Sequence, residues 1–318
     1  MVWKELRLVR KIIADRMRFR DRLVAPVMQY IAASPGGMIR PALMLLAAKA
    51  CGSRRASTVK VAAVAEMIHT ATLLHDDVID QADTRRGRPS VCNLWGNNSA
   101  VVAGDWLLAE AFRLSAEVDG DRMNALLADT AQAMCRGELT QNLLRDRWDI
   151  TEQTYRTIIE NKTARLFSTC CSLGVTAAGG RPSDIKRLAE FGLEIGMAFQ
   201  HTDDLLDIID AKATTRKTAG SDIANGKPTL AFIRMLEKLD GRSRNAAIRK
   251  LKTHKYPPAE FLSLLRRTAA LEYVFAVASA HVDRAVGRLG PIADSGAGRS
   301  LVKIARSVTR RIDVRKLT

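Results

Sequence analysis

An all-α fold is predicted by three observations. The 318-residue chain holds only 20 glycines and 9 prolines, 5% of it is aromatic, and alanine, leucine and arginine are common; this composition favours helix over sheet. No stretch alternates apolar and polar residues with the period of two that a half-buried strand needs. Apolar residues recur instead at helical spacing, in blocks closed by glycine, proline or polar clusters. The length suits one large core or two small ones. Nothing resembles an interdomain linker, so one all-helical domain over 1–318 is expected.

The blocks follow in order. The start of the chain, 1–22, is basic and amphipathic, with Trp3, Leu6, Val9, Ile12 and Ile13 as its apolar side. Ser34-Pro35-Gly36-Gly37 separates the first block from a helix over 39–50, which Gly52 and Ser53 end. A long apolar helix runs over 58–80, and a polar loop from Asp83 to Pro89 follows. Two further helices are read over 101–116 and 122–144. Asp149-x-x-Glu152 has the form of a capping box and opens a helix to about 178. Gly179-Gly180-Arg181-Pro182 stops it, and 183–211 forms the next helix. A polar loop spans 214–227, and the remainder is helical with breaks near Tyr256-Pro257-Pro258 and over 290–298.

Bulk properties narrow the function. Five cysteines (Cys51, Cys92, Cys135, Cys170 and Cys171) show no metal-ligand spacing, and a reduced, cytoplasmic setting is the simplest reading. No signal-peptide core and no membrane-spanning apolar run occurs. The net charge of +16 admits nucleic acid, an anionic membrane surface or a phosphorylated substrate as partner. No nucleic-acid motif is present. The densest basic stretch, 299–316, sets Lys303, Arg306, Arg310 and Arg311 opposite Leu301, Ala305, Val308 and Ile312. It reads as a docked terminal helix with a solvated basic face, with peripheral membrane contact as the sharper alternative.

Two copies of one acidic pattern carry the chemistry: Asp76-Asp77-Val78-Ile79-Asp80 and Asp203-Asp204-Leu205-Leu206-Asp207. On a helix, residues i and i+4 share a face, so Asp76 aligns with Asp80 and Asp203 with Asp207. A row of carboxylates at the end of an apolar helix calls for a cation. Mg²⁺ takes one or two carboxylates and leaves positions for water and substrate phosphate. Each cluster is followed by a cationic loop: Arg85, Arg86 and Arg88 after the first, Arg216, Lys217 and Lys227 after the second. Carboxylate-held Mg²⁺ beside arginine and lysine makes a site for diphosphate oxygens. The two clusters are expected on facing helices.

With further ordered motifs the chain resembles the trans-isoprenyl diphosphate synthase, or polyprenyl synthetase, family. These are Gly36-Gly37-Met-Ile-Arg40-Pro41, Ile68-His69, His75, Arg85-Arg86-Gly87-x-Pro89, Gly104-Asp105, Gly137-Glu138-x-x-Gln141, Lys162-Thr163-Ala164, Phe199-Gln200 and Gly220-x-Asp222-x-x-x-Gly226-Lys227. They lie between about Gly36 and Leu230; the ends match in helical character alone. The resemblance implies an isoprenoid synthase-type helical bundle around a deep central cavity. It implies a transferase joining isopentenyl diphosphate head to tail to an allylic diphosphate, with three Mg²⁺ ions and a dimeric assembly, a homodimer or a heteromer.

By the same resemblance Asp76, Asp80 and Asp203 hold the metals, with Asp77, Asp204 and Asp207 close by. Arg85, Lys162, Lys217 and Lys227 hold the allylic diphosphate; Arg40, His69 and Arg86 hold isopentenyl diphosphate. Thr163 and Gln200 face the developing carbocation, offering oxygen dipoles without a nucleophilic charge. His75 and Asp105 have equal claims to packing and to supporting roles. Ala71, about 7.5 Å before Asp76 at 1.5 Å per residue, leaves the product path open past Ile68 and Met67, and a chain of roughly C30–C50 is expected by analogy; the alternative is that Ala71 only lets two helices pack closely. Met123 and Met134 are candidates for its floor.

One departure stands out. The family places a lysine near the N-terminus that binds isopentenyl diphosphate; here Gly37 or Met38 occupies that position. Losing one charge-assisted contact costs about 1.5–3 kcal/mol. Lys49, Arg54 or an N-terminal arginine could replace it. Two alternatives to a synthase are a weakly active or non-catalytic subunit of a two-component enzyme and a terpene cyclase of the same fold.

Overall fold

The computed structural model describes residues 2–34, 36–52, 57–209, 221–253 and 258–317; the side chains of 119–122, 221, 258 and 259 lie outside that description. The described residues are all-α apart from one short hairpin. The helices are α1 (Trp3–Arg16), α2 (Ala25–Ala32), α3 (Ile39–Ala50), α4 (Ser57–Ile79), α5 (Val91–Leu143), α6 (Glu152–Ile159), α7 (Arg165–Ala177), α8 (Pro182–Ile209), α9 (Ser221–Ala224), α10 (Leu230–Lys238), α11 (Gly241–Lys252), α12 (Pro258–Arg267), α13 (Ala270–Leu289) and α14 (Gly296–Thr309). A π-helical turn, Glu160–Ala164, joins α6 to α7.

Three local readings need correction. The helices expected over 101–116 and 122–144 are one 53-residue helix, α5. Gly120 lies between the two expected helices; a glycine costs a helix interior only about 1 kcal/mol, and no proline falls between them. The loop after the first acidic cluster contains strands β1 (Thr84–Arg85) and β2 (Arg88–Pro89), paired antiparallel. Arg86 and Gly87 at its tip have φ of 52° and 75°. Two consecutive positive φ values make the tight turn that matches strand twist, and glycine lowers its cost. Finally, α6 is capped by Thr151, whose hydroxyl accepts from the Thr154 amide at 3.1 Å. Asp149 pairs instead with Arg147 at 3.2 Å.

The chain divides into two compact units: 1–129, 169–189 and 291–301 form the first, and 130–168, 190–290 and 302–318 the second. In the first, α4 packs against α1 and α3. Every residue from Val61 to Ile68 is buried. An apolar helix without a solvent side is what a core element looks like. Ala71, Ile68 and Met67 all belong to this core.

The second unit is built around α10, which packs on α6, α11, α12 and α13. Phe232 stacks between Trp148 and Phe261, with ring centroids at 5.6 and 4.8 Å. Full burial of side chains of this size contributes roughly 1.5–3 kcal/mol each. Ile312 and Leu317, near the C-terminus, are buried in the same cluster. All five cysteines are free thiols. Among the described residues no helix is long and apolar enough to cross a membrane.

Candidate active site

The first acidic cluster closes α4 in the first unit. Asp76 and Asp80, one turn apart, are partly exposed, whereas Asp77 is buried. The Arg85 guanidinium donates to Asp77 Oδ1 from Nε at 2.7 Å and reaches it with Nη2 at 2.5 Å. The hairpin brings Arg85 back over the helix end it follows. Asp77 therefore braces a cation, and its two neighbours stay partly exposed. His75 Nε2 donates to the Val101 carbonyl at 3.1 Å and lies 3.3 Å from Asp105. The ring sits where a Cβ at residue 104 would come within 2.3 Å of it, which accounts for Gly104. His75 and Asp105 support the α4–α5 contact. A cavity of about 240 Å³ beside the hairpin is lined by Arg85, Arg86, Arg88, Asp77, Tyr30 and Leu74, among others.

Arg40 and His69 meet in the same unit, with Arg40 Nη1 3.0 Å from His69 Nε2. Arginine has no acceptor, so it donates, and Nε2 must be the bare nitrogen of a neutral ring. Burial, then the charges of Arg40, Arg86 and Arg85, hold the His69 pKa well below its ordinary value. The remaining ring proton is on Nδ1, a fixed donor. Glu66 is buried beside this group; burial raises its pKa, against the charges of Arg40, Arg86 and Arg10. A Cβ at Gly36 would come within 2.9 Å of both Arg86 guanidinium nitrogens and of Glu66 Oε1. Of the cations that could replace the absent lysine, Lys49 is paired with Glu5, and Arg54 lies outside the described residues.

The second cluster repeats this division within the second unit. Asp203 and Asp207 are partly exposed and Asp204 is buried. The Tyr155 hydroxyl donates to Asp204 Oδ2 at 2.5 Å, and Gln200 Nε2 donates to Oδ1 at 2.7 Å. Burial pushes the Asp204 carboxyl up to about 6, against these two hydrogen bonds. Asp207 Oδ2 accepts from the Asp222 amide at 3.1 Å. Burial and the charges of Asp204 and Asp207 push the Asp222 carboxyl up in turn. Asp203 Oδ1 lies 2.7 Å from Arg311 Nη1.

Lys162 and Thr163 stand on the π-helical turn. Such insertions re-aim side chains and recur at functional sites. Lys162 Nζ donates to Gln141 Oε1 at 2.9 Å and is paired with Glu138. A Cβ at Gly137 would lie 2.6 Å from the Lys162 backbone nitrogen. The Gly137-Glu138-x-x-Gln141 motif thus makes room for Lys162 and holds its ammonium. Thr163 Oγ1 donates to Gln200 Oε1 at 2.7 Å. The two elements approach this closely because residue 196 is glycine: a Cβ there would be 2.4 Å from the Ala164 Cα. Lys227 is buried and its amide donates to the Asp222 carbonyl at 2.7 Å. Lys217 and Arg216 lie outside the described residues.

The donor set suits a hard divalent cation. The four partly exposed aspartates offer oxygen alone, and among the described residues no three His, Cys, Asp or Glu side chains form a closed cage. Mg²⁺ is held in that way, by one or two carboxylates with water and substrate oxygens completing its shell. Sequence reasoning missed Tyr155, Arg311 and the Glu138 and Gln141 pairing with Lys162. Only the glycine-glutamate-glutamine spacing gave a signal, and it carried no partner.

Comparison with known proteins gives a consistent picture. The family model described as polyprenyl synthetase matches residues 21–265. A protein of Methanothermobacter thermautotrophicus named short chain isoprenyl diphosphate synthase is 36% identical, over 89% of each chain. Component 2 of a heptaprenyl diphosphate synthase from Geobacillus stearothermophilus is 39% identical over 79% of this chain and 78% of its own. A polyprenyl synthase of Caulobacter crescentus, solved with calcium and isoprenyl diphosphate, superposes with a TM-score of 0.90 at 29% identity, covering 98% of this chain and 96% of its own.

Proposed function

This chain belongs to the polyprenyl synthetase family and is a prenyltransferase, and on that premise we propose that it condenses isopentenyl diphosphate head to tail with an allylic diphosphate in one Mg²⁺-dependent domain. The product we infer is of medium to long chain, roughly C30–C50, because Ala71 leaves the way behind Asp76 open, about 7.5 Å back at 1.5 Å per residue. The relatives carry names from short chain to nonaprenyl, so the length is this chain's own property.

One observation carries the reading. In both clusters the middle aspartate is buried on an internal donor, and the first and last residues are partly exposed. A merely solvated acidic face has no reason to sort its carboxylates this way twice. Asp76, Asp80 and Asp203 are the proposed ligands, with Asp207 close by. Bound there, Mg²⁺ supplies charge that stabilises the departing diphosphate.

The side chains divide the remaining work. Arg85, braced by Asp77, and Lys162, braced by Glu138 and Gln141, present cations whose position is fixed before the allylic C–O bond breaks. Preorganised charge of this kind avoids reorganisation during reaction. Lys227 joins them, and Lys217 is assigned by resemblance. Arg40 fixes His69 so that Nδ1–H, with Arg86, faces the second diphosphate. The C–C bond then forms, and the proton leaves to the released diphosphate. Thr163 and Gln200 bring oxygen dipoles without a negative charge that would trap the cation.

Incubation with isopentenyl diphosphate, Mg²⁺ and allylic primers of C5 to C20, read by mass, tests this; no elongation with any primer rejects it. A second reading is favoured by the similarity to a heptaprenyl synthase component: the chain works as one subunit of a two-component enzyme. Elongation that begins only on adding a second protein selects that reading.

A further inference from the structure

Thr163 and Gln200 are useful to a carbocation only if their oxygens are held in a fixed sense, and amide and hydroxyl rotors do not hold themselves. In the second unit they are held by a chain of hydrogen bonds whose direction follows from chemistry. Asp204, a carboxylate, can only accept. Gln200 must therefore turn its NH₂ toward Asp204 Oδ1, at 2.7 Å, which points its carbonyl to Thr163. That carbonyl accepts the Thr163 hydroxyl proton at 2.7 Å. The Thr163 oxygen is left with lone pairs and no proton to give. It can stabilise positive charge but cannot act as an acid.

The chain starts at Tyr155. This residue is 2% exposed, and its hydroxyl donates to the other Asp204 oxygen at 2.5 Å. The phenolic proton is committed to Asp204, so the neighbouring His201 Nδ1, 3.4 Å away, faces only the phenolic oxygen. His201 is fully buried, with its ring tilted 40° to the tyrosine ring and the centroids 5.6 Å apart. Without Tyr155 the carboxylate would lose one of its two hydrogen-bond donors and be free to turn about its Cβ–Cγ bond. Gln200 and Thr163 would lose their orientation with it.

We propose that Tyr155 is a positioning residue for the condensation, fixing Asp204 and through it the Gln200 amide and the Thr163 hydroxyl oxygen. It touches neither substrate, and its contribution rests on the prenyl transfer assigned above. Nothing in the comparisons gives it a role.

The test is a double-mutant cycle of Tyr155→Phe and Asp204→Asn, on the full chain with isopentenyl diphosphate and an allylic primer. Phenylalanine keeps the buried ring. The expected result for Tyr155→Phe is a folded protein whose thermal midpoint falls by about a few degrees as a buried carboxylate loses a donor, with an unchanged KM for isopentenyl diphosphate and a kcat about ten- to a hundredfold lower. Asparagine at 204 can still accept from Gln200 with its oxygen. The double variant should then be about as active as Asp204→Asn alone, because the tyrosine acts only through that carboxylate. Independent, multiplying losses overturn the proposal, and so does a kcat for Tyr155→Phe equal to that of the wild type. A second measurement needs no folded tyrosine variant: the wild-type protein should show a low-field hydroxyl proton in its NMR spectrum that vanishes in Asp204→Asn. Its absence from the wild type also overturns the proposal. Wild-type protein that elongates no primer would instead reject the assigned reaction, while the proton signal still reports on the tyrosine–aspartate bond.

Discussion

Arg311 Nη1 lies 2.7 Å from Asp203 Oδ1, so the end of the chain supplies a cation to the first carboxylate of the second cluster. The segment is anchored for this: Ile312 and Leu317 are buried, and Arg266 donates to the Lys316 carbonyl at 2.9 Å. The guanidinium also lies 5.2 Å from the centroid of the Phe199 ring. Both partners of the pair are more than a third exposed, so it adds little to stability. Its effect is on what Asp203 can bind.

Arg311→Gln removes a competitor for Asp203. The expected outcome is severalfold tighter binding of Mn²⁺ to the substrate-free protein, by titration calorimetry, at an almost unchanged melting temperature. Equal affinity in variant and wild type would show that the pair does not compete with a metal.

The isopentenyl diphosphate site can be strengthened by restoring the absent cation. No atom lies within 4 Å of a Cβ built at Gly37, so a side chain fits there. Gly37→Lys is expected to lower the KM for isopentenyl diphosphate by about ten- to a hundredfold, the worth of one charge-assisted contact. Gly36→Ala goes the other way, because its Cβ displaces Arg86. If both variants leave KM untouched, this segment does not border the diphosphate.

Ala71 is 1% exposed and belongs to the core face of α4. Ala71→Tyr should shift the product distribution toward shorter chains, as read by mass after dephosphorylation. A distribution matching the wild type would place the growing chain elsewhere.

Cysteine reactivity follows burial. Cys170 and Cys171 are fully buried, and burial pushes the Cys170 thiol up to about 12, so almost none is thiolate at pH 8. Cys135 is exposed. Alkylation of the folded protein should modify Cys135 and spare the adjacent pair, by peptide mapping; early labelling of Cys170 contradicts the packing.

Glu194 ties the second unit's stability to pH. Burial alone would raise its pKa, but His281 Nδ1 at 2.6 Å and Arg284 Nε at 3.1 Å outweigh it and the net shift is downward. A depressed carboxylate contributes stability that is complete above its unfolded value, near 4.5, and is lost as the pH falls through the folded value. Glu194→Gln should flatten the melting temperature across that acidic range. An unaltered profile would remove Glu194 from the acid response.

The helical blocks and both acidic clusters were legible because they are local. Helix period, i,i+4 spacing and turn residues are set within a few positions of the chain. The tip of the hairpin was not, since Arg86 at φ 52° is a strained choice that no propensity announces. The start of α6 misled for a related reason. Asp149 and Thr151 both precede an apolar run, and which one caps depends on where Arg147 draws the aspartate.

The sequence by itself determined that this is an all-helical protein with two helix-borne rows of carboxylates and cations following each. It also determined the order of motifs that places the chain in its family. Only the tertiary structure decided which carboxylate of each row turns inward. Asp77 is claimed by Arg85, and Asp204 by Tyr155 and Gln200, while Asp203 meets Arg311. A buried carboxylate needs donors, and apart from Gln200, one turn away on the same helix, those donors come from other elements of the fold. Spacing along one helix can align side chains, but it cannot supply partners that folding brings from elsewhere.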